Sequence, residues 1–142
     1  MIEVTARAKI NLTLEVLGRR DDGYHEIKSI MQTIDLHDVV TLKRADDITL
    51  TCDDPALAGE DNLVLVAARK LRETAGVDLG VDISLEKHIP VSAGLGGGSS
   101  DAASVLNGLN QLWELKLELD VLEEIATGIG SDVPYFLSGG TA

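Results

Sequence analysis

The segment Pro90-Val91-Ser92-Ala93-Gly94-Leu95-Gly96-Gly97-Gly98-Ser99-Ser100-Asp101-Ala102-Ala103 sets four glycines and a serine pair directly ahead of an apolar-periodic run. Glycine has no Cβ, so Gly94, Gly96, Gly97 and Gly98 can take positive φ and admit a ligand close to the backbone. Their N–H groups can converge on an anion, and a helix starting there adds its positive dipole end. That chemistry suits phosphate. A Walker A loop is excluded, because no Gly-Lys-Ser/Thr closes the run. The dinucleotide fingerprint fails as well: Ser99 stands where its last glycine belongs, and Pro90 separates the glycines from the preceding strand. A Gly/Ser-rich linker is the competing reading, but linkers do not usually end on a well-formed helix start.

Phosphoryl transfer needs cradled phosphates, neutralised charge and an acceptor hydroxyl aligned with a base. Asp132 and Lys9 are the candidates for base and cation. Asp132 lies in a turn bracketed by Gly130 and Pro134, where a carboxylate can be held in place. By position alone the favoured reading is a helix cap or Asx-turn. Lys9 alone reads as a solvated lysine on an exposed strand face.

These groups need elements to position them. Val4 to Val16 alternates almost perfectly, predicting a long strand with Ala6, Ala8 and Ile10 on the buried face. Lys9, Asn11 and Thr13 fall in a row on the polar face. A charged turn spans Gly18 to Tyr24, and strands are expected at 27–36, 39–43 and 48–52. Asn62 is placed to cap a helix over 63–75 that Gly76 closes. A strand at 81–85 leads to the glycine run, and helical spacing then links Ala102, Val105, Leu106, Leu109, Leu112 and Trp113. Asp120 and Glu123 have the offset of a capping box for a last helix reaching about Ile129. The order predicts one α+β domain with its helices covering one face of a sheet.

The chain has 142 residues, 44% of them hydrophobic, which is enough for one core. Its net charge of −12 argues against a nucleic-acid or anionic-membrane surface. Cys52 is the single cysteine, which fits a reducing cytoplasm, and no signal peptide or membrane span is legible. His25, His37 and His88 have no partner at metal-ligand spacing, so no protein metal cage is expected.

Four motifs stand in order: Ala8-Lys9-Ile10-Asn11-Leu12, Gly23-Tyr24-His25, the glycine run from Pro90 to Ala103, and Gly130-Ser131-Asp132-Val133-Pro134. Together they resemble the GHMP kinase superfamily over essentially the whole chain. The resemblance implies a mixed-sheet N-terminal domain similar to domain 2 of ribosomal protein S5. It implies an ATP- and Mg²⁺-dependent kinase acting on a small-molecule alcohol. By position, Asp132 would be the general base and Lys9 would orient it and stabilise developing charge. Pro90, Gly94, Leu95, Gly96, Gly97, Gly98, Ser99 and Ser100 would bind the ATP phosphates. Asn11 would place the acceptor hydroxyl, while Tyr24 and His25 would hold a cytosine, pointing to the branch with a cytidyl acceptor. Family members carry a second, C-terminal domain that completes the cleft, so this chain is expected to be the N-terminal half, weak or inactive alone. Alternatives are a kinase with another alcohol acceptor and a nucleotide-binding fragment without turnover.

Overall fold

The computed structural model describes the backbone of residues 1–19, 25–90, 97–130 and 132–137, with side chains over 1–9, 35–90, 97–130 and 132–137. Strands β1 (Ile2–Arg19), β2 (His25–Ala45), β3 (Ile48–Cys52) and β4 (Gly80–Glu86) form a mixed sheet in the order β1-β2-β4-β3. Among the described residues only β3 and β4 pair in parallel. Helices α1 (Leu63–Ala75) and α2 (Gly97–Leu112) lie against the sheet, and α3 (Leu119–Ile129) and the short α4 (Val133–Leu137) pack on those helices. The expected α+β architecture is the observed one.

Sheet alternation makes the covered face. Val40 and Leu42 of β2 and Val81, Ile83 and Leu85 of β4 point inward, where they meet Val64, Leu71, Val105, Leu106 and Leu109 from the helices. Each such side chain fully removed from water contributes about 1.5–3 kcal/mol. Helix α1 begins and ends as expected: Asn62 accepts from the Val64 amide at 3.0 Å, and Gly76 closes it at φ 67°.

Three expectations change. The strands anticipated at 27–36 and 39–43 are one continuous strand, because His37 and Asp38 at the break stay paired with Arg7 and Ala6 of β1, and the buried Asp38 carboxylate finds its own hydrogen-bond partners. The Asp120–Glu123 capping box does not form. Glu118 occupies the cap position without a side-chain bond, and Asp120, already inside the first turn, accepts from Val121 N–H instead. Third, the helix after the glycines starts within them, at Gly97. Gly97 and Gly98 are therefore helical, and Gly76 is the one glycine with positive φ among the described residues.

Close approach, rather than backbone freedom, explains Gly108. A Cβ there would overlap Leu42 and lie 3.3 Å from Val4 Cγ2, so the missing side chain lets α2 settle onto β1 and β2. Gly108→Ala is expected to cost about 1–3 kcal/mol, seen as a lower urea midpoint. Gly128 has open space around it, and Gly128→Ala should instead gain about 1 kcal/mol. Equal midpoints for the two variants would show that α2 can shift freely.

Candidate active site

Lys9 comes to the site through a break in strand pairing. Arg7 pairs with His37, but Lys9 pairs with Thr33, so two steps along β1 match four along β2. The irregularity interrupts alternation: Ala8 and Lys9 are both buried, Lys9 to 4% exposure. Its ammonium lies 3.5 Å from Asp132 Oδ2, at the residue preceding α4. Asp132 remains half-exposed, so a carboxylate reaches solvent with a buried cation beside it. The exposed-face reading of Lys9 is thereby corrected, and the two residues are brought together.

The rest of the candidate set divides. Asn11 lies two residues beyond Lys9 on β1, opposite Met31, and His25 opens β2 opposite Arg19; both are described in backbone only. Tyr24, Gly94, Leu95 and Gly96 lie outside the described residues. Gly97, Gly98, Ser99 and Ser100 form the first turn of α2, with Gly98 exposed, Ser99 half-buried and Ser100 buried. A turn of helix with exposed N–H groups presents orphan donors to an anion.

Upstream of the glycines, an open cleft of about 300 Å³ is lined by Asp53, Asp54, Leu57, Lys87, His88, Ile89 and Pro90. Its wall is tied down by polar contacts. The Lys87 amide donates to Asp53 Oδ1 at 3.0 Å, and the His88 and Ile89 amides donate to Asp38 Oδ1 at 2.6 and 2.9 Å. Gly97 fits against this wall, since a Cβ there would lie 2.9 Å from Ile89 Cγ2 and 3.4 Å from Lys87 Nζ.

A buried charged cluster lies beneath. Lys87 Nζ donates to Asp38 Oδ2 at 2.6 Å and to Asp101 Oδ2 at 2.9 Å, and both carboxyl groups are almost wholly buried. Burial raises the Asp101 pKa to about 8, helped by its hydrogen bond to Asp38 and opposed by Lys87. Burial also works against ionised Asp38, but hydrogen bonds from Asp101, the Ile89 amide, Lys87 and the His88 amide outweigh it and hold its pKa down. At neutral pH the cluster therefore reads as Asp38⁻, Lys87⁺ and neutral Asp101.

This arrangement has a pH signature. Below about pH 4 Asp101 is protonated whether the chain is folded or unfolded. From there to about 8 the unfolded chain releases the proton and the folded one keeps it, so this group's share of stability declines with rising pH and then levels. Asp101→Asn is expected to remove that decline, gaining steadily on the wild type between about pH 5 and 8 in urea titrations. Parallel stability curves would contradict the neutral carboxyl.

Residues 62–140 match the GHMP kinases N-terminal domain. The chain belongs to the GHMP kinase family. It is 50% identical over 141 residues to the 4-diphosphocytidyl-2-C-methyl-D-erythritol kinase of Clostridioides difficile, covering 97% of this chain and 48% of that protein. The corresponding kinase of Synechococcus sp. (strain CC9902) is 53% identical over 145 residues, covering 99% of this chain and 47% of its own. A crystal structure of 4-(cytidine 5'-diphospho)-2C-methyl-D-erythritol kinase superposes with TM-score 0.76 at 43% identity, over 97% of this chain and 49% of that one. Methanococcus jannaschii mevalonate kinase shares the fold, with TM-score 0.69 at 20% identity over 90% of this chain and 45% of its own. The chain thus spans about half the length of the curated relatives it matches.

Proposed function

We propose that this chain is the ATP-binding and catalytic half of a kinase acting in non-mevalonate isoprenoid biosynthesis. The reaction transfers the γ-phosphate of ATP to the 2-hydroxyl of 4-diphosphocytidyl-2-C-methyl-D-erythritol. The observation that carries the reading is the Lys9–Asp132 pair. A module that only bound nucleotide would have no use for a solvent-facing carboxylate backed by a buried ammonium. Identity near 50% to relatives bearing that kinase name favours the cytidyl acceptor over other alcohols.

In this reading Asp132 accepts the acceptor's hydroxyl proton as the γ-phosphoryl group moves. Lys9 holds the carboxylate in line and offsets charge building on the transferred oxygens. The transition state is loose, so alignment contributes more than basicity. The first turn of α2 cradles the phosphates, and the cleft beside Pro90 takes the nucleoside end of ATP. Mg²⁺ prefers oxygen donors and keeps several waters. In this reading the ion would come in on the ATP phosphates, whose oxygens would be its main donors. Mg²⁺ supplies charge neutralisation of the phosphates when bound. Asn11 positions the acceptor hydroxyl, Tyr24 and His25 receive the cytosine, and a C-terminal domain closes the cleft.

The test is acceptor-dependent ADP release by the full-length protein. Turnover with the cytidyl substrate and none with mevalonate or homoserine supports the reading. Turnover only with another alcohol reassigns the substrate. Saturable Mg-ATP binding without turnover on any of them leaves a nucleotide-binding module.

A further inference from the structure

We propose that Asp38, Lys87 and Asp101 are positioning residues that clamp the two ends of the glycine run in fixed relation, and so set nucleotide affinity. The inference rests on the proposed nucleotide site, and it concerns groups that sit beneath that site.

The clamp is visible in its bonds. Asp38, on β2, takes the His88 and Ile89 amides just ahead of the glycines. Asp101, on α2, stands one turn after Gly97. Lys87 bridges the two carboxyl groups, so one ammonium joins β2, the end of β4 and the start of α2. Gly97 closes against Ile89 and Lys87, which brings both ends of the run into contact.

Charge balance assigns the parts. Two buried carboxyl groups share one lysine, and among the described residues these are the charged groups facing one another. Two carboxylates would leave an uncompensated buried negative charge beneath the phosphate site. A neutral Asp101 removes that charge. It also accounts for Asp101 Oδ1, which is buried without a hydrogen-bond partner: an unpaired carbonyl oxygen costs less than an unpaired carboxylate oxygen. Affinity then depends on the proton. When Asp101 ionises, the clamp loosens and the phosphates meet added negative charge.

The experiment uses the full-length protein and variants at Asp101. Asp101→Ala is expected to raise the KM for ATP about ten-fold, with kcat at saturating ATP and the acceptor KM within about two-fold of wild type. Asp101→Asn, which mimics the neutral acid, restores the KM at neutral pH. Wild-type KM for ATP rises between about pH 7 and 9, and Asp101→Asn abolishes that rise. An unchanged KM for ATP in both variants overturns the clamp, and so does a loss confined to kcat. Should Asp101→Ala not fold, the pH profile of Asp101→Asn decides. Hydrogen exchange at the His88 and Ile89 amides reads the clamp without nucleotide. Faster exchange in Asp101→Ala supports it even if the wild type binds no ATP, in which case only the kinase reading fails. Unchanged exchange in a protein that binds ATP normally overturns the clamp alone.

Discussion

Asp132→Asn is expected to lower kcat of the full-length kinase by about 10²- to 10⁴-fold while the Kd for Mg-ATP stays within about two-fold. Asparagine has nearly the shape of aspartate and keeps an oxygen that can accept from Lys9, so the 3.5 Å pairing survives in geometry. What it loses is a site for the acceptor's proton. The carboxylate is half-exposed and precedes the short α4, so the variant should fold with little cost. Single-turnover kinetics beside calorimetric ATP binding make the measurement. Loss of binding in step with loss of rate would remove Asp132 from the role of base.

Gly97→Val should weaken Mg-ATP binding by about 10- to 100-fold. The glycine sits at the junction of the cleft wall and α2, and even a bare Cβ would come within 2.9 Å of Ile89 Cγ2. Valine adds two methyl groups at that contact. Relief requires moving the helix start, displacing Ile89 or pushing Lys87 from its carboxyl partners, and each disturbs the proposed phosphate cradle. Overpacking of this kind costs about 1–3 kcal/mol, and here the strain falls on ligand-binding geometry. Unchanged nucleotide affinity in a folded variant would refute the cradle.

Much of this was legible in the amino-acid order. Asn62, Gly76 and the apolar stripe between them delimit α1 because cap chemistry and helical period agree. The Asp120–Glu123 spacing misled, since a capping box also requires the chain to enter the helix at Asp120, and α3 starts one residue earlier, at Leu119. Lys9 was found by motif and misplaced by period: alternation assumes uninterrupted pairing, and no local residue type marks the irregularity between Arg7 and Lys9. The buried cluster was missed, although a signal existed. Asp38 precedes Val40 and Leu42 at a spacing of two, Lys87 follows Val81, Ile83 and Leu85, and Asp101 leads Val105 and Leu109 at a spacing of four. Each charged residue occupies the apolar phase of its own element. Charges in that phase from three elements indicate a buried network, which residue-by-residue polarity conceals.

The irregular pairing of β1 with β2 makes folding fidelity a condition of the proposed catalysis. A hairpin closed in uninterrupted register would put Lys9 on the same outer face as Arg7, with its ladder of backbone bonds nearly intact. Such a molecule would match the native one in helix and strand content and carry no cation behind Asp132. Refolded material should therefore be graded by specific activity per folded molecule, since spectroscopy would count the misaligned hairpin as a success.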